Sequence, residues 1–264
     1  PVFARNPRHP GAAHYIIHSF DDPIHAPLGL PAAEAYADIA PRAAHAQHMT
    51  SHIFVALGLW ERVVEANVRA RDTQDAELAE TGAPPNVCGH YAAWLHYGYL
   101  QLGRVAEAET LMDRCHARVM EAAHAGEWAY FAAMRARHVV DTDRWALAQR
   151  WTVPLETIPA TASATGYGDP ALIYRLTNAL AALKQGDAEA ARALGASILV
   201  LLRPRWSVPL FGALAAVPVA VSALVGGENW GVYFAAGVVL HGLVLAVPVW
   251  LIATVRELRA ASAA

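Results

Sequence analysis

Thirteen histidines stand in this chain of 264 residues, and nine of them fall within the first 96. His14 and His18 are four apart, so a helix sets them on one face. His45, His48 and His52 follow at spacings of three and four, which at ~100° per residue confines them to an arc of roughly 60°. His90 and His96 open a further segment. Imidazole suits zinc, copper, iron and nickel, and three imidazoles on neighbouring turns can hold an ion with one position left open. The spacing therefore makes His14, His18, His45, His48, His52 and His90 candidate ligands for a transition metal such as Zn, Cu or Fe. Asp21, Asp22 and Tyr15 lie near enough in sequence to orient the rings. Histidines so placed can equally cap helices, hydrogen-bond between helices or line a polar groove. No glutamate separates a histidine pair as a general base, so the spacing names no reaction.

Other chemistry is missing from the sequence. It contains no glycine-rich phosphate loop and no G-x-S-x-G elbow. A net charge of −3 and the lack of a basic stripe argue against a nucleic-acid partner. Cys88 and Cys115 are too few for a disulfide framework, nothing in their spacing suggests pairing, and they read as small core residues. Trp60, Trp94, Trp128, Trp145 and Trp151 recur within helical units and read as packing anchors.

The elements that must carry the histidines are helices, as the abundance of alanine favours. The pattern predicts helices over 11–20 and 31–39, with a loop between them holding Asp21, Asp22, Pro23, Pro27 and Gly29. A third runs over 42–57 and stops at Gly58. Beyond it, Gly58-Leu59-Trp60-Glu61-Arg62-Val63 is echoed by Gly103-Arg104-Val105-Ala106-Glu107-Ala108. Asp143-Arg144-Trp145-Ala146-Leu147-Ala148 and Gly186-Asp187-Ala188-Glu189-Ala190-Ala191 repeat it again. The intervals are 45, 40 and 43 residues.

On these residues the chain resembles the tetratricopeptide repeat, a stack of antiparallel helix pairs. Leu95, Tyr99, Gly103 and Ala108 fall on that family's Leu, Tyr, Gly and Ala positions. The period is longer than the family's ~34 residues, and no unit carries both its Trp and its closing Pro. The blocks His9-Pro10-Gly11-Ala12-Ala13-His14-Tyr15-Ile16-Ile17-His18 and His45-Ala46-Gln47-His48-Met49-Thr50-Ser51-His52-Ile53-Phe54 resemble bacterial tetratricopeptide-type proteins of unassigned activity. That resemblance implies a lineage and no reaction.

The composition changes abruptly near Leu201. From Ser207 to Val255 the only ionisable side chains are Glu228, Tyr233 and His241. Two stretches, about 207–226 and 231–255, each reach the ~20 residues that cross a bilayer as a helix. Arg203, Arg205, Arg256 and Arg259 flank only the outer ends, which by the positive-inside rule puts the repeat domain in the cytoplasm. The change also fits a fusion of unrelated pieces, and the opening Pro1 suggests an internal or processed start.

The expected architecture is all-α: tetratricopeptide-like helical hairpin repeats over 1–200, then a transmembrane helical hairpin within 203–260. Two functions fit it. One is a membrane-tethered scaffold that binds a protein or peptide, with the lipid bilayer as its other partner. The alternative is a histidine-rich metal-binding protein or metalloenzyme with its site on the inner face of the N-terminal helices.

Overall fold

Proline at the first turn of a helix costs no hydrogen bond, and two helices begin with one beside a polar cap. Pro10 opens α2 (Pro10–Ser19), where the His9 ring accepts the Ala12 N–H at 3.2 Å. Pro170 opens α10 (Pro170–Lys184), where Asp169 accepts from Ala171 and Leu172. The computed structural model describes residues 2–122, 124–159 and 169–193, and no strand occurs among them. The remaining helices are α1 (Val2–Arg5), α3 (Ala26–Ile39), α4 (Ala44–Ala56), α5 (Trp60–Glu80), α6 (His90–Gln101), α7 (Val105–Ala122), α8 (Ala125–Asp141) and α9 (Leu147–Arg150).

The chain divides into two compact units, Pro1–Gln185 and Gly186–Ala264. In the second, the described residues form a short helical stretch over 188–193. The expected membrane helices, 207–226 and 231–255, lie outside the described residues. Among the described residues, no helix is long and apolar enough to cross a membrane.

In the first unit each helix packs on the next from α2 to α8, and α2 also meets α4, α6 meets α8 and α8 meets α10. The even-numbered helices thus form a common wall. Two glycines allow close approach between layers. A Cβ on Gly98 of α6 would stand 2.9 Å from Val64 Cγ2 on α5, and one on Gly29 of α3 would stand 2.7 Å from Ile53 Cδ1 on α4. One apolar cluster centres on Ile17, Met49, Ile53 and Val63, and a second on Leu95, Met112, Phe131 and Trp151.

The reversals fall where the sequence repeats. Gly58, Gly103, Asp143 and Gly186 adopt positive φ values of 69°, 68°, 52° and 81°. At Gly58 the Leu59 N–H reaches Phe54 C=O, and at Gly103 the Arg104 N–H reaches Tyr99 C=O, both at 2.8 Å. These bonds satisfy carbonyls left open at the helix end. The apolar positions after the turns, Val63, Ala108 and Ala148, are all buried.

Two expectations need correction. The loop after α2 is shorter than its proline content suggested, because α3 starts at Ala26 and runs through Gly29 and Pro31. Pro27 occupies a first-turn position, and Pro31 forfeits one backbone bond within a helix that buries Ala32, Ala33 and Tyr36. The cysteines are not separate core residues. Cys88, just before α6, is joined to Cys115 of α7 in a disulfide with a Cα separation of 4.7 Å. Packing of α6 against α7 brings together residues 27 apart, which spacing alone did not reveal.

Replacing Gly103 isolates the backbone contribution of a turn, since a Cβ there meets nothing within 4 Å. Gly103→Ala is expected to lower unfolding free energy by about 1 kcal/mol, the cost of a side chain at left-handed φ. Urea denaturation should show a lower midpoint at unchanged slope, with Gly103→Asn losing less.

Candidate metal centre

Three segments bring the six predicted histidines together. His14 and His18 project from one face of α2, His45, His48 and His52 from one face of α4, and His90 begins α6. His14 Nε2 lies 3.1 Å from His18 Nε2 and 3.3 Å from His45 Nε2. His48 Nε2 lies 3.2 Å from His52 Nε2 and 2.9 Å from His90 Nε2. Each group is a triad with one ring approached by two others. The triads adjoin, with ring centroids 5.8 Å apart for His18 and His52 and 6.3 Å for His45 and His48.

The partners on the far side of the rings determine what the Nε2 atoms offer. Asn67 donates its Nδ2 to Val63 C=O at 2.8 Å, which leaves its Oδ1 as the acceptor facing His48 Nδ1, also at 2.8 Å. His48 therefore carries its proton on Nδ1 and presents a lone pair at Nε2. His52 Nδ1 faces the Asp21 carboxylate at 2.6 Å, an acceptor that likewise favours the proton on Nδ1. Tyr130 Oη stands 3.2 Å from His90 Nδ1. Carboxylate, amide and hydroxyl partners of this kind are those that orient metal-bound imidazoles.

A neutral His48 has one Nε2 lone pair and two Nε2 neighbours, so it can accept a good hydrogen bond from only one of them. A cation placed among the three nitrogens would satisfy all of them together. Tetrahedral coordination with bonds of ~2.0 Å spaces its ligand atoms ~3.3 Å apart, a spacing approached by the two Nε2 contacts of the central ring in each triad. Among the described residues, no three or more His, Cys, Asp or Glu side chains already surround one point fit for an ion. The nitrogens meet in pairs, and sharing an ion would require the rings to turn.

Burial differs between the triads. His48 is fully buried and His52 and His90 are half-buried, whereas His18 and His45 are exposed. Burial, followed by repulsion from neighbouring histidines, lowers the pKa values of His14, His45 and His90. Burial also lowers that of His48 to about 3, although its bond to Asn67 opposes the shift. The rings of His14, His45, His48 and His90 are thus biased toward the neutral form.

Of the suggested orienting residues, Asp21 meets the centre at His52. Asp22 instead binds His25, with its Oδ2 2.9 Å from the ring Nδ1. Tyr15 stacks beside His14 with centroids 6.1 Å apart and is largely exposed. Sequence reasoning missed Asn67, Tyr130, Trp94 and Tyr36. Trp94 covers His52 at a centroid distance of 4.6 Å, and Tyr36 stacks on His14 at 5.7 Å. A polar Asn67 on the buried face of α5, among Val63, Val64, Ala66 and Ala70, was the signal that could have revealed one of them. His9 and His124 cap helices, and His96 pairs with His138. Comparison with protein families, with curated proteins and with solved structures finds no match to this chain.

Acid should unfold the protein through these buried rings. Burial lowers His96 to about 3 and His138 to about 4, as it lowers His48 to about 3. The unfolded chain takes up protons near pH 6.5 while the folded chain refuses them, so this stability is present above pH 6.5 and falls as pH drops toward 4 or 3. Each group contributes at most about 1.4 kcal/mol per pH unit in that window. Thermal unfolding of metal-free protein should show a Tm that is nearly level above about pH 7 and falls steadily from about pH 6.5 to about 4.5. A flat profile would contradict the burial argument.

Proposed function

We propose that this chain is a histidine-ligated transition-metal protein whose two triads each hold one ion. His14, His18 and His45 form the outer set, and His48, His52 and His90 form the inner set. The observation that carries the reading is His48: Asn67 directs its Nε2 lone pair toward two further Nε2 atoms at 2.9 and 3.2 Å. Neutral imidazole ligands suit zinc or copper, and three of them leave a position for water or a substrate. Whether the ions are structural or catalytic depends on what reaches that position.

In this reading the helix pairs are a diverged tetratricopeptide array, supported by the left-handed turns at Gly58, Gly103, Asp143 and Gly186. The Cys88–Cys115 bond favours an oxidising compartment for the domain, against the cytoplasmic side suggested by the flanking arginines. A peptide-binding scaffold is the second reading, favoured by the common wall of even-numbered helices.

Metal analysis of the full chain tests the proposal. Metal-free protein titrated with Co²⁺ should take up two equivalents and develop the visible absorption of tetrahedral cobalt. His48→Ala should remove one equivalent and His14→Ala the other, with helical content kept. Asn67→Leu and Asp21→Ala should weaken inner-site affinity by about 10–100-fold, as loss of a ring-orienting partner does elsewhere. Uptake of less than one equivalent by the wild-type chain would refute the reading.

A further inference from the structure

A cavity of about 290 Å³ opens between α6 and α8, with His90 in its wall. Its apolar lining comes from Val55, Trp94, Tyr97, Tyr130 and Met134. The size is at the lower end for small-molecule sites, which are commonly apolar with a few placed polar groups. Three rings among those side chains favour a flat ligand.

The polar groups narrow the ligand further. His96 lines the cavity and is fully buried. Its Nε2 is engaged with His138 Nδ1 at 3.0 Å, while its Nδ1 has no hydrogen-bond partner. A buried ring nitrogen without a partner costs free energy that a ligand hydroxyl can recover. Arg137 also lines the cavity and is exposed, with its guanidinium 4.1 Å above the Tyr97 ring. Among the described residues no carboxylate forms an ion pair with it. Stacking leaves the guanidinium N–H edge available to an anion.

We propose that this cavity is the organic substrate site of the histidine centre and takes a small aromatic acid bearing a ring hydroxyl. The carboxylate pairs with Arg137, the hydroxyl binds His96 Nδ1, and the ring packs between Trp94, Tyr97 and Tyr130. His90 belongs both to the cavity wall and to the inner triad, so a ring bound in the cavity would lie beside a histidine of that triad. This assignment rests on the metal reading for its link to the centre, but the cavity's ligand preference does not.

The test uses the full chain, metal-free and Co²⁺-loaded, with 4-hydroxybenzoate as probe. Calorimetry on the metal-free protein should give saturable one-to-one binding. Benzoate, lacking the hydroxyl, and 4-hydroxybenzamide, lacking the charge, should each bind at least fivefold more weakly. Arg137→Gln should weaken 4-hydroxybenzoate at least fivefold and leave the amide unchanged. Ala133→Trp, at the exposed edge of the cavity, should weaken binding more than tenfold while cobalt stoichiometry is kept. In the loaded protein, ring protons of the probe should broaden through the nearby paramagnetic ion. Absent binding, or binding indifferent to Ala133→Trp or to the hydroxyl and charge, overturns the ligand assignment. Selective binding without broadening in cobalt-loaded protein overturns the substrate role. Failure of cobalt uptake with selective binding intact removes the metal reading and the substrate role together, leaving only the cavity's preference.

Discussion

Everything at the centre follows from the hydrogen bond between His48 and Asn67. Asn67 is itself held by a backbone carbonyl one turn earlier in α5, so the amide cannot easily turn to offer a donor. The ring must therefore direct an unprotonated nitrogen at its neighbours. In water this arrangement would be relieved by hydration. Here His48 is fully buried, and the remaining relief comes from a proton or a cation shared with its neighbours.

The surrounding fold bears the cost of holding such groups. α2, α4 and α6 must stay in register for rings from three segments to meet within a few ångströms. The missing Cβ atoms at Gly29 and Gly98 let the layers come that near. Farther along the same wall, His96 and His138 link α6 to α8, and Arg135 hydrogen-bonds Ala148 C=O and Asn178 of α10. Buried polar pairs contribute little net stability, but they penalise any packing that leaves them unpaired. They therefore fix which helix faces which.

Much of this was legible in the sequence. Helical spacing marked the six histidines because a face on one helix is a local property, fixed by intervals of three and four. The turns were legible for the same reason, since Gly58 and Gly103 end helices through backbone geometry that depends on the residue itself. Contacts across long separations were not legible. Asn67 lies 19 residues from His48 and Tyr130 lies 40 from His90, and nothing local ties either pair. α3 also escaped a local reading, because tertiary packing at Gly29 and Tyr36 outweighs the helix-breaking tendency of its prolines.

The two triads differ in their access to solvent. His18 and His45 face solvent, whereas His48 lies behind them under Trp94 and Tyr91. With both sets loaded as proposed, exchange with solution is quick at the rim and slow at depth. A brief exposure to chelator would then strip half of the metal, and the other half would follow the opening rate of the helices.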